Sequence, residues 1–182
     1  ENGVITIFDT ETTGLDILHD DIVQIAAVQI KQGEIVPGSQ FCVYIETHRT
    51  IPEVLGDVVN PMIEARRHQP LVAREKALQM FMDYAQGTTL LGHNADYDVH
   101  ILTANLQRDL PHYTDLSLLD NYFDTLLLAK LLRPGLRQYK LKHLLEVLHL
   151  AGENSHLADA DVAATRELTR YCYRKALDIV PQ

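Results

Sequence analysis

The apolar residues change their spacing near residue 70, and this change is the feature that most restricts the fold. Before it, residues 4–8 and 22–30 are β-favouring apolar runs, and apolar side chains alternate over residues 41–45. After it, apolar residues recur at the three- and four-residue spacing of a helix face. The first half therefore predicts an antiparallel meander of three strands, and the second half predicts helices that pack on the sheet.

Periodicity and end signals predict the elements of the second half. Helical spacing covers residues 77–84, 99–106, 126–132, 141–148 and about 157–177, and residues 88–91 form a short strand. Asn94 is placed to cap the helix after that strand, and Asp124 is placed to cap the one that Pro134 ends. Residues 48–72 show no interpretable pattern. We expect an α/β chain with a mixed sheet and flanking helices.

Length and composition limit the class of protein. The 182 residues contain no linker and no internal repeat, so we expect one domain, residues 1–182. No stretch is apolar for long enough to cross a bilayer and no secretory signal opens the chain, so we expect a cytoplasmic protein without membrane contact. Cys42 and Cys172 are predicted to be buried. Since Glu1 is not methionine, the chain either lacks its true beginning or is a domain excised from a longer protein.

The charge of the chain bears on its partner. A net charge of −9, from 25 acidic and 16 basic side chains, argues against a polyanion unless clustered acids bind divalent metal ions and reverse the local charge. One segment, between Asp124 and Glu146, has basic residues and no acid. It either contacts a phosphate backbone or is a solvated helix face whose long side chains cover leucines. Its basic residues are Lys130, Arg133, Arg137, Lys140 and Lys142.

The motif FDTETTG, residues 8–14, places two carboxylates at the predicted end of the first strand. Asp9 and Glu11 are two residues apart, so their side chains leave the same face. Their repulsion and desolvation are costly unless a cation lies between them, and Mg²⁺ or Mn²⁺ prefers such oxygen ligands. Gly14 lets the chain turn close to whatever binds there. The alternative is a solvated strand end with two surface acids.

Two further acidic motifs open predicted helices. In GHNADYD, residues 92–98, Asp96 and Asp98 follow the cap, where the helix dipole favours acids. We interpret Asp96 as structural, and for Asp98 the structural and functional interpretations both stand. In HLADAD, residues 156–161, His156 precedes the last helix and Asp161 falls in its early turns. Each motif alone is compatible with an ordinary helix start.

Together the three motifs resemble those of the DEDDh 3′→5′ exonucleases, the superfamily of the proofreading epsilon subunit of bacterial DNA polymerase III. Their order, spacing and structural setting agree over nearly the whole chain. The histidine five residues before the last acid is present as His156, whereas the tyrosine of the sister branch is replaced by Leu157. The resemblance implies a ribonuclease H-like fold with a mixed five-stranded sheet flanked by helices.

The resemblance also implies two divalent metal ions, Mg²⁺ or Mn²⁺, about 3.5–4 Å apart. Asp9 would bridge the ions, and Glu11 and Asp161 would complete the tighter position. Asp98 would hold its ion partly through water. His156 would act as general base toward the attacking water, because imidazole changes protonation near neutral pH. A nucleoside 5′-monophosphate would leave from the 3′ end of the strand.

Contacts to the terminal nucleotide are implied by the same resemblance. The turn after the first strand would supply Thr13, Gly14 and Leu15, and a His-Asn pair would supply His93 and Asn94. Leu15 either wedges against the last base or folds back onto the core. Tyr97 stands where the family often has phenylalanine, and since either ring packs, this departure puts little of the resemblance in doubt.

Hydrolysis of single-stranded or frayed DNA from the 3′ end is the leading hypothesis for function. One alternative is the same chemistry on RNA or short oligoribonucleotides. Another is a catalytically silent nucleic-acid-binding module on the same fold, although the full set of catalytic residues favours an enzyme. The expected protein partner is a DNA polymerase or helicase, in trans or as a fused domain.

Overall fold

The structure, a computed structural model, describes residues 3–180. Within these residues the strands are β1 (Val4–Thr12), β2 (Ile22–Lys31), β3 (Glu34–Ile35), β4 (Phe41–Ile45), β5 (Val54–Leu55), β6 (Val58–Val59), β7 (Leu71–Val72), β8 (Thr89–Gly92) and β9 (Tyr122–Asp124). The helices are α1 (Pro61–Arg67), α2 (Arg74–Ala85), α3 (Ala95–Asp109), α4 (Thr125–Leu132), α5 (Leu141–Val147) and α6 (Ala158–Ile179), with a 3-10 turn at Ser117–Leu119. None of these helices is long and apolar enough to cross a membrane.

Strand β1 lies inside the main sheet, between β2 and β8. The order across the sheet is β7-β4-β2-β1-β8-β9, and β3 also pairs with β2. Strands β1, β2 and β4 are antiparallel neighbours, whereas β8 runs parallel to β1 and β9 runs parallel to β8. The predicted meander and mixed sheet are confirmed. Strands β1, β2, β4 and β8 correspond to the four that the sequence located, and β9 is the fifth. The two-residue strands β3 and β7 extend the sheet to seven strands.

Helices cover both faces of the sheet because side chains alternate along β1. Phe8 packs with helices α2 and α3, in a cluster that includes Phe81 and Leu102. Ile7, its neighbour in sequence, packs on the other face with Val162 of α6. A third apolar cluster joins α4, α5 and α6. A side chain of β1 on the same face as Ile7 therefore points toward α6.

Strand β1 continues four residues beyond its predicted end at Phe8. Its ladder with β2 runs through the pair Glu11 and Gln24, and the register shifts only between Glu11 and Thr12. Asp9 and Glu11 therefore lie within the strand and not after it. Because alternate residues share a face, both carboxylates lie on the side of the sheet that α6 covers.

Residues 48–72 contain the β5–β6 hairpin, helix α1 and strand β7. Strands of two residues and a helix of seven are too short to show a period in the sequence. Asn60 caps the N-terminus of α1, since its side chain accepts a hydrogen bond from the Met62 backbone N at 3.0 Å. Within this region, β7 pairs with β4 and forms the edge of the main sheet.

The prediction that both cysteines are buried is right for Cys172 and wrong for Cys42. Cys172 lies in the apolar cluster of α4, α5 and α6. Cys42 is exposed because the alternation that directs Val43 and Ile45 into the core turns Cys42 to the opposite face. Both thiols are free.

Candidate active site

Three carboxylates meet where β1 passes the start of α6. Asp9 and Glu11 project from β1, and Asp161 lies in the first turn of α6. One oxygen from each of the three lies within 4.8 Å of the others. The packing of Ile7 against Val162, the residue after Asp161, brings the two elements this close. The structure thus joins three of the predicted metal ligands.

The spacing and electrostatics of this cluster fit a divalent cation. Oxygen ligands lie about 2.0–2.6 Å from such ions, so ligands on opposite sides are about 4–5 Å apart. Burial and repulsion from Asp161 and Asp98 raise the pKa of Glu11 to about 9. Burial raises the pKa of Asp161 to about 6, although a hydrogen bond from the Ser155 backbone opposes the rise. A bound cation would offset both the repulsion and the desolvation.

Asp98 stands beside the cluster, in the first turn of α3, and is 4% exposed. Its Oδ1 accepts hydrogen bonds from the Thr10 backbone N at 3.1 Å and the Thr10 hydroxyl at 2.5 Å. Burial raises the pKa of Asp98 to about 7 despite these bonds. Burial, followed by repulsion from Asp98 and the other site carboxylates, raises the pKa of Asp9 well above its usual range. Asp98 is thus near the three-carboxylate cluster without being a member of it.

Gln24 fixes the start of α6 against the sheet, a role that the sequence analysis missed. It is fully buried on β2, opposite Glu11. Its Oε1 accepts a hydrogen bond from the Ala158 backbone N at 2.8 Å, and its Nε2 donates to Asp159 Oδ1 at 3.3 Å. Leu157 at the N-cap offers no side-chain acceptor, so Gln24 on the neighbouring strand accepts the hydrogen bond from a free backbone N–H in the first turn of α6. The available signal was a glutamine inside an apolar run.

The loop before α6 is bonded to Asp161 and carries His156. The Ser155 backbone N donates to Asp161 Oδ1 at 3.0 Å. The Asn154 side chain, with its NH₂ facing the carboxylate, donates to both Asp161 oxygens at 3.1 and 3.2 Å. His156 is half-buried and has a φ of 57°, in the left-handed region. The predicted base therefore follows directly on the segment that holds Asp161.

An open cavity of about 240 Å³ lies next to the cluster, and Asp9 and Asp161 form part of its wall. His93 and Asn94, predicted to contact the terminal nucleotide, also line it, and so does Lys140 of the basic segment. The other lining residues are Leu126, Leu141, Asn154 and Thr165. His156 is not one of the lining residues. The cavity therefore brings together two of the candidate metal ligands, the His-Asn pair predicted to contact the nucleotide, and Lys140 of the basic segment.

Both ring nitrogens of His93 are bonded within the protein. Nε2 lies 2.7 Å from the Tyr139 carbonyl oxygen, and since a carbonyl only accepts, Nε2 carries a proton. Nδ1 lies 2.9 Å from the Thr125 hydroxyl, whose proton it shares in the neutral ring with the Gly92 carbonyl oxygen at 3.3 Å. Burial lowers the pKa of His93, which favours that neutral form. His93 thus ties the end of β8 to the loop after α4 and presents its ring to the cavity.

The prediction that Asn94 caps α3 with its side chain is wrong. Asn94 occupies the N-cap position with a φ of 60°, and its side chain makes no capping bond. The Asp124 carboxylate accepts instead from the backbone N of Asn94 at 2.9 Å and of Ala95 at 3.2 Å. It also accepts from the Leu126 backbone N at 2.9 Å, which confirms Asp124 as the cap of α4. One carboxylate serves both helices because they follow the parallel neighbours β8 and β9.

The turn after β1 presents Leu15 to solvent. Leu15 is 87% exposed, so the alternative in which it folds back onto the core is wrong. Thr13 is buried, and its hydroxyl donates to Asp20 Oδ1 at 2.8 Å. A Cβ atom on Gly14 would lie 2.5 Å from Asp20 Oδ2, so any larger residue here would displace the Asp20 side chain. The close approach expected at Gly14 is therefore to Asp20 of the same turn.

The basic residues of the predicted backbone track are exposed: Lys130, Arg133, Arg137, Lys140 and Lys142. Lys130 Nζ lies 5.8 Å from the centroid of the Tyr139 ring, and Arg133 donates to the Tyr171 hydroxyl at 3.0 Å. These two side chains are partly used in contacts within the chain. Lys140 is the member that reaches the cavity beside Asp9.

The mixed sheet, with an acidic cluster between its central strand and α6, defines a ribonuclease H-like α/β protein with a candidate metal centre. The model of the RNase_T family, the exonucleases, matches residues 6–169. The chain belongs to this exonuclease family. The family and the fold expected from the three motifs are confirmed.

Relatives with this domain are much longer proteins. A DNA polymerase III PolC-type of Latilactobacillus sakei subsp. sakei (strain 23K) is 32% identical over 169 residues, which cover 91% of this chain. A protein of the same name from Clostridium perfringens (strain 13 / Type A) is 31% identical over 169 residues, which cover 93% of this chain. The chain spans 11% of the length of each.

Solved structures of Exonuclease I share the fold. E. coli Exonuclease I in complex with a dT13 oligonucleotide has a TM-score of 0.78 and 22% identity, over 97% of this chain and 42% of that one. An ExoI/SSB-Ct complex has a TM-score of 0.77 and 20% identity, over 98% of this chain and 42% of that one. At this level of identity the likeness shows the fold alone.

Proposed function

We propose that this chain is a metal-dependent 3′→5′ exonuclease domain that hydrolyses the terminal phosphodiester bond of single-stranded or frayed DNA and releases nucleoside 5′-monophosphates. The observation that carries the proposal is the convergence of Asp9, Glu11 and Asp161. Thr10 holds Asp98 beside them. So many partly desolvated carboxylates are costly together unless cations bind them. Membership in the exonuclease family supplies the reaction class.

Two divalent ions, Mg²⁺ or Mn²⁺, are the proposed cofactors. Asp9, Glu11 and Asp161 would hold one ion. Asp9 would share the second with Asp98, which would act partly through water. Bound there, such ions activate water and stabilise negative charge on the phosphate and the leaving oxygen. His156 would accept a proton from the attacking water, a role supported by its place next to the segment bonded to Asp161.

Single-stranded DNA is the proposed substrate. The support is that the PolC-type relatives are DNA polymerases and that Exonuclease I, which shares the fold, was solved with dT13. Leu15 and Asn94 would contact the terminal nucleotide together with the backbone of Thr13 and Gly14, a role supported by the exposure of Leu15 and by Asn94 lining the cavity. Lys140 would meet the phosphate backbone.

A polymerase is the proposed protein partner. The chain spans about a tenth of its PolC-type relatives, which supports a proofreading role as a domain fused to a polymerase. We propose the fused arrangement. In either arrangement, fused or in trans, the surface around the cavity would have to stay open so that the polymerase can deliver a strand to it.

Degradation of matched DNA and RNA oligonucleotides, labelled at either end, tests the function. With Mg²⁺ or Mn²⁺ a 3′ label should appear at once as a mononucleotide, whereas a 5′-labelled strand should shorten stepwise. EDTA should stop both. Faster degradation of RNA would favour the exoribonuclease alternative, and binding without degradation would identify the silent module.

Asp9→Ala is the variant that tests the site. It should reduce Mn²⁺ binding and nuclease activity below detection, because Asp9 contributes to both proposed ion positions. Asp178→Ala is the matched control, since Asp178 is an exposed acid on the same helix as Asp161 and about 25 Å from it along the axis. The control should bind Mn²⁺ and cleave at the normal rate. A folded Asp9→Ala variant with normal activity would refute the site.

A further inference from the structure

Tyr97 connects two parts of the site that the sequence analysis treated separately. It lies in the first turn of α3, directly before Asp98, and is half-buried. Its hydroxyl donates to the Gly14 carbonyl oxygen at 2.7 Å and lies 2.8 Å from the Thr12 hydroxyl. The Thr12 hydroxyl lies 2.8 Å from the same carbonyl. Tyrosine therefore adds to the packing of the ring a bond to the backbone of the turn that phenylalanine could not make.

Other bonds hold the far end of this turn. Asp20 accepts from the Thr13 hydroxyl at 2.8 Å, and Asn105, later in α3, donates to the Asp20 carbonyl at 3.2 Å. The near end of the turn, next to Leu15, is the end that Tyr97 holds. Helix α3 therefore contacts the turn at both ends, and the Tyr97 hydroxyl is the contact nearest to the residue that projects into solvent.

We propose that Tyr97 is a positioning residue for the terminal nucleotide, whose hydroxyl fixes the Gly14 carbonyl, and with it Leu15, relative to Asp98. This rests on the function proposed above. Phenylalanine cannot perform the task, although its ring would fill the same space. In a Tyr97→Phe variant the Thr12 hydroxyl would still donate to Gly14, so the carbonyl keeps a partner and the turn loosens without unfolding.

Separate measurement of KM and kcat tests this role. One neutral hydrogen bond is worth about a two- to tenfold change in an equilibrium, so Tyr97→Phe should raise KM for a short DNA oligonucleotide by about that factor and lower kcat less. Mn²⁺ affinity should stay within about twofold. An unchanged KM would overturn the proposal. So would a loss confined to kcat with weaker Mn²⁺ binding, because Tyr97 would then act on Asp98 and not on the turn.

Tyr84→Phe is the matched control. The Tyr84 hydroxyl also donates from a helix to a backbone carbonyl, that of Ser39, at 2.6 Å. Ser39 bonds Gln29, at the end of β2 opposite to Gln24 and the carboxylates. This variant should leave KM, kcat and Mn²⁺ affinity unchanged. An equal rise of KM in both tyrosine variants would show a general effect of lost packing and overturn the specific role of Tyr97.

Amide hydrogen exchange separates this proposal from the proposed function, because it requires no catalysis. The Thr13 backbone N donates to the Asp21 carbonyl at 2.9 Å, and the Asp16 backbone N donates to Asp20 Oδ2 at 2.8 Å. In Tyr97→Phe both amides should exchange about two- to tenfold faster, while amides in the middle of α3 keep their rates. Unchanged exchange would overturn the proposal. Faster exchange in a chain without nuclease activity would refute only the proposed function.

Discussion

Individual side chains in this site either concentrate negative charge or hold the charged groups in place. Hydrogen bonds from Thr10 to Asp98, and from the Ser155 backbone to Asp161, stabilise the ionised carboxylates. The pKa values of these two acids therefore rise only to about 7 and about 6. Burial and repulsion raise the pKa of Glu11 further, to about 9. The hydrogen-bond donors beside Asp98 and Asp161 thus favour their ionised forms, so a cation competes with protons more easily at these two acids than at Glu11.

The role of His156 can be tested with a variant that suits its backbone. Its φ of 57° lies in the left-handed region, which asparagine tolerates better than alanine. His156→Asn should keep the loop, remove the proton acceptor and lower kcat by about 10²–10⁴-fold. Mn²⁺ affinity, measured by calorimetry, should not change. His100→Asn, at an exposed position of α3, should retain the full rate, and loss of Mn²⁺ binding in His156→Asn would contradict its assignment as base.

The acids of the site could be predicted from sequence, whereas the groups that hold them could not. Asp9 and Glu11 follow an apolar run, where paired carboxylates are costly, and Asp161 was identified only because the three motifs match a known pattern jointly. Gln24 and Tyr97 act through atoms of residues that are far away in sequence, so their partners depend on which elements become neighbours. At Asn94 a prediction from local spacing failed for the same reason. The spacing predicted a side-chain cap, but the backbone N–H groups at the start of α3 donate to the Asp124 carboxylate, which is distant in sequence.

Elements with several turns or many ladder pairs were predictable, and short ones were not. The long helices α2 and α6 repeat their apolar spacing often enough to be read, whereas β5, β6 and β7 have two residues each. Strand β1 was predicted too short because its last residues are polar. Pairing with β2 extends it through Glu11, so the hydrogen bonds between the two strands keep these polar residues in the strand despite their low β-propensity.

The junction between β2 and α6 yields a prediction at this scale. Gln24→Met removes both polar bonds to α6 while it keeps the length of the side chain. The buried Ala158 N–H would lose its acceptor, so the free energy of unfolding should fall by about 1–3 kcal/mol in urea titrations. Since Asp161 lies in the same first turn, Mn²⁺ affinity should fall as well.

Gln29→Met, on the same strand, separates the two effects. The Gln29 Nε2 donates to the Tyr84 carbonyl at 2.9 Å, at the end of β2 away from the carboxylates. This variant should lose stability in urea and keep its Mn²⁺ affinity. If Gln24→Met also kept its Mn²⁺ affinity, the junction would stabilise the fold without positioning the ligands.

The whole molecule combines a net charge of −9 with a proposed polyanionic substrate. The carboxylate cluster resolves part of this conflict, because two divalent cations bound there would neutralise the four negative charges of Asp9, Glu11, Asp98 and Asp161. The exposed basic segment adds charge on the same side, since Lys140 lines the cavity with Asp9 and Asp161. Metal binding and substrate binding should therefore depend on each other, and both should influence the stability of the fold.

The stability of the metal-free chain should decrease as pH rises through the neutral range. The site carboxylates have raised pKa values when folded, about 9 for Glu11, about 7 for Asp98 and about 6 for Asp161. In the unfolded chain such groups titrate near pH 4. Between these limits the folded state binds more protons than the unfolded state, so the contribution of these groups to the free energy of unfolding falls with rising pH.

Cations compete with those protons, so the stabilisation by Mn²⁺ should be larger at pH 8 than at pH 6. Thermal unfolding with EDTA or Mn²⁺ at the two pH values measures it. An Asp9→Asn/Glu11→Gln double variant isolates the cluster from other titrating groups: without metal at pH 8 it should melt above the unmodified chain, and Mn²⁺ should add little. If the unmodified chain and the double variant respond alike to Mn²⁺ at both pH values, these carboxylates do not form the metal site, because ion binding would then be independent of the charges that the fold brings together.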